Sequence, residues 1–199
     1  MYKRQIVVRV GGAAEAESAA RGAHAITGGT AGLGLLTGRW LAERGACAIM
    51  LASRSGALAA DDGWPHSLAE TGVRVAAVMR CDAAEAVDVR RLAADAAGTM
   101  PPLEGVWHAA GITADALLAR QDARALRAVY APKAHGAGLL HSALGAVALR
   151  ACALFSSVAA LLGGAGQANY AAANACLDAL AARRRAHGRA AVRLSLIHI

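Results

Sequence analysis

Four side chains in the second half of the sequence have types and a spacing that could perform acid–base chemistry. Tyr170 and Asn174 are four residues apart at the start of a predicted helix, so both lie on one helix face. Ser157 precedes Tyr170 by thirteen residues and ends a predicted strand. A free phenol has a pKa of about 10, too high for facile proton transfer near neutrality. A neighbouring ammonium such as that of Lys133 would lower this pKa, so the pattern indicates a tyrosine that donates a proton.

Lys133 is unusual because arginine is the ordinary cation of this chain. Of the 21 basic residues two are lysines, and the other one, Lys3, lies in the N-terminal tail. A compact ammonium fits beside a phenol and a ribose where a guanidinium fork does not. The alternative interpretation is a chance lysine on a surface helix.

A glycine-rich loop from Thr27 to Gly34 follows the predicted strand 23–27 and leads into a predicted helix. Glycine lets a backbone approach a pyrophosphate, and a helix N-terminus offers free N–H groups and a positive dipole. A glycine loop can also be no more than a turn, but this strand–loop–helix context predicts a dinucleotide site. The predicted contacts in the loop are Gly28, Gly29, Thr30, Gly32, Leu33 and Gly34.

The predicted second strand ends at Ser53 and Arg54, at the point where an acidic residue would accept the ribose hydroxyls of NAD. Arg54 instead offers a guanidinium fork and Ser53 a hydroxyl, both suited to a 2′-phosphate. We therefore predict NADPH rather than NADH. The alternative is that Arg54 is an ordinary surface arginine in a turn.

The third and fourth predicted strands end at the same edge of the sheet as the glycine loop. Cys81 and Asp82 end the third strand, and Asp82 could accept a hydrogen bond from the adenine amino group. His108 ends the fourth strand, and we assign it no role because a lone histidine there is more often a packing residue. The small residues predicted to let the ribose and adenine approach are Ala109, Ala110 and Gly111.

Strands alternate with helices from Ala23 onward, which predicts an α/β fold with a right-handed, doubly wound parallel sheet of the Rossmann type. The chain is 56% hydrophobic with few aromatic residues, which suits helices packed closely on such a sheet. Strands are predicted near 6–10, 23–27, 46–52, 73–79, 105–109, 150–155 and 190–196. Helices are predicted near 33–45, 84–97, 115–145 with a break before Pro132, and 168–187, with a weaker candidate at 61–71.

The net charge of +7 does not indicate nucleic-acid binding, because the basic residues are spread along the chain. The cluster Arg183-Arg184-Arg185 ends a predicted helix, where cations favour the helix dipole, so we interpret it as a solvated helix terminus. No aromatic stacking pattern accompanies it. A basic surface could also attract an acidic protein partner.

The cysteines and the apolar segments predict a cytoplasmic protein. No cysteine has metal-ligand spacing, so no metal is predicted, and each lies in an apolar context typical of a buried free thiol in a reducing compartment. No signal peptide is evident, and the apolar stretch 151–162 is too short to cross a bilayer. The four cysteines are Cys47, Cys81, Cys152 and Cys176.

Taken together, these motifs resemble the ketoreductase domains of modular polyketide synthases and animal-type fatty-acid synthases, within the short-chain dehydrogenase/reductase superfamily. Ordinary members of that superfamily place a lysine four residues after the tyrosine. The ketoreductase domains resembled here have asparagine there, as at Asn174, and bring the lysine from an earlier helix, as at Lys133. The resemblance covers about residues 23–196.

The resemblance implies reduction of a 3-oxoacyl thioester by NADPH to a 3-hydroxyacyl group. It implies that Ser157 hydrogen-bonds the carbonyl oxygen, that Tyr170 donates the proton and that Asn174 orients Lys133 or a relay water. The implied partners are an acyl carrier domain bearing a phosphopantetheine-bound substrate and other synthase domains in cis. Neither nucleic acid nor a membrane is implied.

Two positions bear on the configuration of the alcohol. Family members that make the D-alcohol resemble one another in a Leu-Asp-Asp motif after the fourth strand, and here the match is Thr113-Ala114-Asp115. The opposite class has a tryptophan eight residues before the tyrosine, and here that residue is Leu162. Both features favour the D-alcohol class, although Asp115 could equally be a solvated residue in a first helical turn.

The ends of the chain depart from the family pattern. Residues 1–22 are interpreted as a remnant of a structural subdomain or a foreign tail, and 23–199 as a catalytic core that stops before the lid helices and the last strand. Two other functions stay open. One is a stand-alone short-chain reductase of free carbonyls, which the absence of lysine at position 174 disfavours. The other is an inactive cofactor-binding or scaffolding segment of a synthase.

Overall fold

Strands and helices alternate from residue 23 onward. The structure, a computed structural model, describes residues 5–8, 21–58, 73, 75–99 and 101–198. Its strands are β1 Gln5–Val8, β2 Ala23–Thr27, β3 Ala48–Ser53, β4 Val75–Arg80, β5 Leu103–His108, β6 Ala151–Ser157 and β7 Val192–His198. Its helices are α1 Gly32–Glu43, α2 Ala86–Thr99, α3 Ala123–Tyr130, α4 Gly136–Ala143, α5 Ala159–Leu162 and α6 Ala168–Ala186. A 3-10 turn, Leu118–Arg120, precedes α3, and a π-helical turn, Ala131–His135, joins α3 to α4.

The seven strands form one sheet with the order β1-β7-β6-β5-β2-β3-β4. Strands β2 to β7 run parallel, and β1 pairs antiparallel with β7 at the edge. The strand order reverses between β2 and β5, so their carboxyl ends open a crevice of the kind in which α/β sheets bind ligands. The predicted doubly wound parallel sheet is confirmed.

The strands β2 and β3 are buried on both faces of the sheet, and successive residues of β3 belong to different cores. On β3, Met50 packs in a cluster with Leu92 of α2, whereas Ile49 packs in a cluster with Leu41 of α1. This separation follows from the two-residue period of a strand, and helices on both faces are usual for a parallel sheet. A third cluster around Leu177 packs α6 on β6. The packing fixes the strand ends at one edge, where the candidate site lies.

The predicted strands 23–27 to 190–196 agree with the observed strands to within two residues at each end. The helix predicted over 115–145 is wrong at its start, because residues 111–117 are non-helical and α3 begins after Asp122. The Asp122 carboxylate accepts the N–H of Ala125 at 2.7 Å, which makes it an N-cap that the hydrophobic periodicity does not reveal. The predicted break before Pro132 is confirmed as the π-helical turn, since proline has no N–H to donate within a regular helix. The short helix α5 was not predicted.

The structure corrects two predictions, one on the arginine cluster 183–185 and one on the burial of the cysteines. Arg184 is buried rather than solvated. Its Nε donates to the carbonyl of Ala190 at 3.1 Å, and one terminal nitrogen lies 3.0 Å from His141 Nδ1. The prediction of four buried thiols holds for Cys81 and Cys152, whereas Cys47 is half-buried and Cys176 is exposed. The differences at Arg184 and Cys176 arise because the face that α6 turns to its neighbours is set by packing and not by local composition.

The weaker helix candidate at 61–71 lies outside the described residues, and the division of the chain at residue 22 stays a prediction. Among the helices of the described ranges, none has the length and apolarity needed to cross a membrane.

Candidate active site

A cleft of about 380 Å³ opens at the carboxyl ends of β2, β3 and β5, beside the start of α1. Every predicted cofactor residue lines it except Gly29, which lies beneath the loop and donates its N–H to the carbonyl of Ala52 at 3.1 Å. Sequence reasoning missed four residues that also line the cleft. They are Ala31 within the loop, Ala83 directly after Asp82, Ile112 directly after Gly111, and Pro132. The predicted residues that line the cleft are Gly28, Thr30, Gly32, Leu33, Gly34, Ser53, Arg54, Cys81, Asp82, Ala109, Ala110 and Gly111.

The glycine loop has the shape of an anion cradle. Gly28 and Gly32 have φ angles of +69° and +50°, in the left-handed region that favours glycine. A Cβ on Gly28 would lie 2.7 Å from the backbone nitrogen of Ala110. Helix α1 has no side-chain cap and no acidic residue in its first turn, so its first N–H groups are available to a ligand. These features fit a pyrophosphate at the helix N-terminus.

The end of β3 adds a cation to this cleft. Arg54 is exposed, and within the described parts of the chain it forms no ion pair. Ser53 lies beside it, and its hydroxyl accepts the N–H of Gly56 at 3.2 Å. The side chain of Asp82 uses one oxygen, Oδ1, to accept the N–H of Ala84 at 2.9 Å. The arrangement therefore presents a guanidinium and a carboxylate to the same cleft.

Lys133, Tyr170 and Asn174 come together next to this cleft. The buried Nζ of Lys133 donates to Asn174 Oδ1 at 2.8 Å and to the carbonyl of Phe155 at 2.9 Å. It also lies 5.0 Å from the centre of the Tyr170 ring. Asn174 completes the group by donating its Nδ2 to the carbonyl of Tyr170 at 2.8 Å. The lysine is thus held by two oxygens against the face of a phenol.

Burial has a direct consequence for the charge of Lys133. Removal from water disfavours the ammonium and lowers the pKa of Lys133 to about 8, while the carboxylate of Asp178 acts in the opposite direction. A group with this pKa is mostly charged at neutral pH and loses its proton in mildly alkaline solution. Gly111 shows how closely the lysine adjoins the cleft, because a Cβ there would lie 2.7 Å from Lys133 Cε.

The π-helical turn delivers the lysine to this position. It contains Pro132, and the N–H of Gly136 bonds back to the carbonyl of Ala131, five residues earlier. Such wide turns inside helices often occur at functional sites. Lys133 is the buried residue of the turn, whereas His135, the other basic residue of the turn, is exposed.

Ser157 lies at the end of β6, and its hydroxyl is turned toward the neighbouring strand β7. Its hydroxyl donates to the carbonyl of Leu196 at 3.3 Å and accepts the N–H of Ala159 at 3.2 Å. A role toward a substrate carbonyl would require the hydroxyl to rotate away from Leu196. Sequence reasoning could not anticipate this bond, because it depends on the register of β7 against β6.

Asp115 lies on the loop after β5, and Leu162 lies in the segment shortly before α6. Asp115 is exposed, and its Oδ2 accepts the side-chain amide of Gln167 at 3.1 Å. It does not lie in a first helical turn, so that alternative is wrong. Leu162 ends α5 and is 78% exposed. The buried Asn169, which sequence reasoning missed, ties the start of α6 to the loop after β5 by donating to the carbonyl of Ala114 at 2.8 Å.

The family model of the KR domain matches residues 22–199 of this chain. The chain belongs to the ketoreductase (KR) domain family. This ketoreductase domain is similar to segments of very long proteins. It is 46% identical over 171 residues to polyketide synthase GfsA of Streptomyces halstedii, an alignment that covers 85% of this chain and 2% of that protein. It is 41% identical over 168 residues to phthioceranic/hydroxyphthioceranic acid synthase of Mycobacterium bovis, covering 84% of this chain and 8% of that protein.

Solved ketoreductases share the fold of this ketoreductase domain. A structure of A-type ketoreductases from a modular polyketide synthase aligns with a TM-score of 0.79 and 40% identity, covering 87% of this chain and 37% of that one. An N-terminal ketoreductase from the macrolactin assembly line aligns with a TM-score of 0.78 and 28% identity, covering 98% and 38%. The family relationship makes this domain an oxidoreductase of the short-chain type with a nicotinamide cofactor. The chain spans less than a tenth of the length of these synthases.

Proposed function

We propose that this domain uses NADPH to reduce the 3-oxo group of a carrier-bound acyl thioester to a 3-hydroxyacyl group in polyketide biosynthesis. The observation that carries the proposal is the cluster of Lys133, Asn174 and Tyr170 beside a glycine-loop cleft. A dinucleotide cradle alone fits many reactions. A buried ammonium against a phenol adds a proton donor where a reduced ketone needs one.

The choice of NADPH rests on the end of β3. The free guanidinium of Arg54 and the hydroxyl of Ser53 border the cleft, and a guanidinium fork matches a phosphate better than it matches ribose hydroxyls. Gly28, Gly32 and the first turn of α1 would hold the pyrophosphate, and Asp82 would accept from the adenine amino group. When bound, the cofactor supplies the hydride for the reaction.

Tyr170 donates the proton that the reduced carbonyl oxygen takes up. Lys133 favours the phenolate left behind, because its ammonium lies over the same ring. Asn174 accepts from Lys133 and so keeps the ammonium at this distance. Ser157 hydrogen-bonds the substrate oxygen after its hydroxyl leaves the carbonyl of Leu196, and this adds a second donor to the forming alkoxide.

The substrate is carried on the phosphopantetheine of an acyl carrier domain, and other synthase domains act in cis in the cytoplasm. The similarity to segments of polyketide synthases favours a polyketide pathway over a fatty-acid pathway. The net charge of +7 suits an acidic carrier. We assign the product to the D-alcohol class on the basis of Asp115 and of leucine rather than tryptophan at position 162.

The test is a cofactor titration together with a reduction assay on a 3-oxoacyl thioester. We expect oxidation of NADPH by the wild-type chain and loss of oxidation in Tyr170→Phe, with NADPH affinity unchanged because the phenol oxygen does not line the cradle. Turnover that persists in Tyr170→Phe would refute the role of Tyr170. Turnover of free ketones but not of thioesters would favour a stand-alone reductase, and binding without any turnover would favour a scaffold.

A further inference from the structure

His108 lies between the two halves of the site. It ends β5 and is fully buried, and its register partner on the neighbouring strand is Thr27, which ends β2 at the start of the glycine loop. Its Nδ1 is 2.7 Å from the hydroxyl of Thr27, and its Nε2 is 3.0 Å from the backbone carbonyl of Lys133. One imidazole therefore joins the base of the cofactor loop to the turn that carries the lysine.

The partners of the ring determine where its proton is. A carbonyl oxygen can only accept, so Nε2 of His108 must carry the hydrogen that points to Lys133. In the neutral ring Nδ1 is then an acceptor, and the hydroxyl of Thr27 donates to it. Burial lowers the pKa of His108 to about 4, with the ammonium of Lys133 acting in the same direction. The ring stays neutral with one fixed tautomer throughout the pH range in which the enzyme would work.

The bond to the carbonyl of Lys133 has a geometric purpose. The backbone of Lys133 belongs to the π-helical turn. At the other end of the residue, Phe155 and Asn174 accept hydrogen bonds from Nζ. The carbonyl of Lys133 also accepts the backbone N–H of Gly136, but that bond lies within the turn and does not join the turn to the sheet. His108 holds that backbone from β5, the central strand of the sheet.

We propose that His108 is a positioning residue for Lys133, acting through the hydrogen bond from its Nε2 to the lysine backbone. The proposal rests on the proposed function for its catalytic consequence, but the placement of the lysine is a property of the chain itself. The competing interpretation is that His108 only fills space in the core.

Two amide variants separate these interpretations. The nitrogen of a glutamine side chain reaches about as far as Nε2 of histidine, so His108→Gln retains a donor to the carbonyl of Lys133. An asparagine side chain reaches no farther than Nδ1, so His108→Asn retains a partner for Thr27 but removes the imidazole donor from the Lys133 carbonyl, to which the backbone N–H of Gly136 also donates. Both variants bury an amide at the same position, which makes each the control for the other.

We expect His108→Gln to retain kcat within about threefold and His108→Asn to lower kcat by about tenfold or more, because small displacements of a catalytic group are costly. NADPH affinity and KM should change by less than about threefold in both. Equal kcat values in the two variants, whether both retained or both lost, would overturn the proposal in favour of packing.

A second measurement does not depend on turnover. With lysine labelled by ¹³C, the chain gives two Cε signals, from Lys3 and Lys133. We expect the Lys133 signal in His108→Asn to move toward the position and titration midpoint of Lys3, and the signal in His108→Gln to stay at the wild-type position. A wild-type chain without reductase activity but with this NMR difference would reject the proposed function and retain the positioning role. Identical Lys133 signals in the two variants would overturn the positioning role even if the wild type is active.

Discussion

The Nζ of Lys133 lies 2.8 Å from Asn174 Oδ1 and within 5.0 Å of the Tyr170 ring centre, although 41 residues separate Lys133 from Asn174 in the chain. The two residues meet because α6 packs on β6 and the Nζ of Lys133 reaches the carbonyl of Phe155 on that same strand. A lysine four residues after the tyrosine would reach the phenol from the same helix. Here asparagine occupies that place and becomes the acceptor that holds a lysine from another element.

The rate of reduction should decline in mildly alkaline solution. Because burial lowers the pKa of Lys133 to about 8, the ammonium is present below that pH and is lost as the pH rises through it. The carboxylate of Asp178 opposes this shift, and the other groups that face Nζ are Asn174 Oδ1, the carbonyl of Phe155 and the Tyr170 ring. We expect kcat with a 3-oxoacyl thioester to be level near pH 7 and to fall above a midpoint of about 8. A midpoint near 10, the value of an exposed lysine, would contradict the arrangement.

The same pKa shift makes a prediction about stability. The folded chain releases the Lys133 proton near pH 8, whereas the unfolded chain holds it until about pH 10.4. The unfolded state therefore binds more protons in this window, and the free energy of unfolding gains up to about 1.4 kcal/mol per pH unit from this group. Urea unfolding of wild type and Lys133→Met at several pH values measures the difference. The variant should lack this gain, and parallel curves for the two proteins would argue against a strongly shifted lysine.

Arg54 should decide between the two nicotinamide cofactors. We expect Arg54→Ala to weaken NADPH binding by about 10- to 100-fold, since hydrogen bonds to a charged group contribute about 1.5–3 kcal/mol, and to leave NADH binding nearly unchanged. Fluorescence titration of each cofactor gives the affinities. The matched control is Arg120→Ala, which removes the same charge from an exposed arginine that does not line the cleft. Equal losses in the two variants would mean that net charge, and not a phosphate contact, attracts the cofactor.

The sequence predicts site residues at the ends of strands more reliably than it predicts contacts between distant segments. Parallel strands place their carboxyl ends at one edge, so Gly28, Arg54 and Asp82 could be assigned to a common cleft before any contact was known. Ser157 was also placed correctly along the chain. Its bond to Leu196, however, depends on two strands meeting in register across the end of the sheet. No local pattern contains that information.

The difference between local patterns and long-range contacts also explains why the bond from His108 to Lys133 and the start of α3 were not predicted. The packing role expected for His108 came from its isolated position in the sequence, whereas its bond to Lys133 spans 25 residues and a turn. Residues 115–122 continue an apolar periodicity, yet the helix starts later because the carboxylate of Asp122 caps it. Periodicity reports burial along a segment, and capping and long-range hydrogen bonds decide where the segment ends and what it touches.

Asp115 and Gln167 should control the configuration of the product. Their side chains are joined at 3.1 Å between the loop after β5 and the loop before α6, which places the contact beside Tyr170 along the chain. We expect Asp115→Ala and Gln167→Ala to lower the configurational purity of the alcohol while NADPH affinity is retained, because both variants release the same loop contact. Chiral chromatography of the 3-hydroxyacyl product measures this purity. Asp115→Asn retains an oxygen for Gln167 and is the control, and a drop in purity equal to that of Asp115→Ala would indicate a role for charge instead.

Gly28 and Gly32 both have positive φ angles, but substitution should affect them differently. A Cβ at Gly28 would lie 2.7 Å from Ala110 N, whereas a Cβ at Gly32 has nothing within 4 Å. A left-handed conformation costs about 1–2 kcal/mol for a residue with a side chain, so Gly32→Ala should lower the free energy of unfolding by about that amount. Gly28→Ala should lower it further, because the backbone at Ala110 must also move. Urea unfolding gives both values, and NADPH titration gives a second comparison.

The open space at Gly32 faces the cleft, so Gly32→Ala should weaken NADPH binding by more than its small loss of stability suggests. If Gly32→Ala binds NADPH as tightly as wild type, the pyrophosphate does not lie at this turn of the loop.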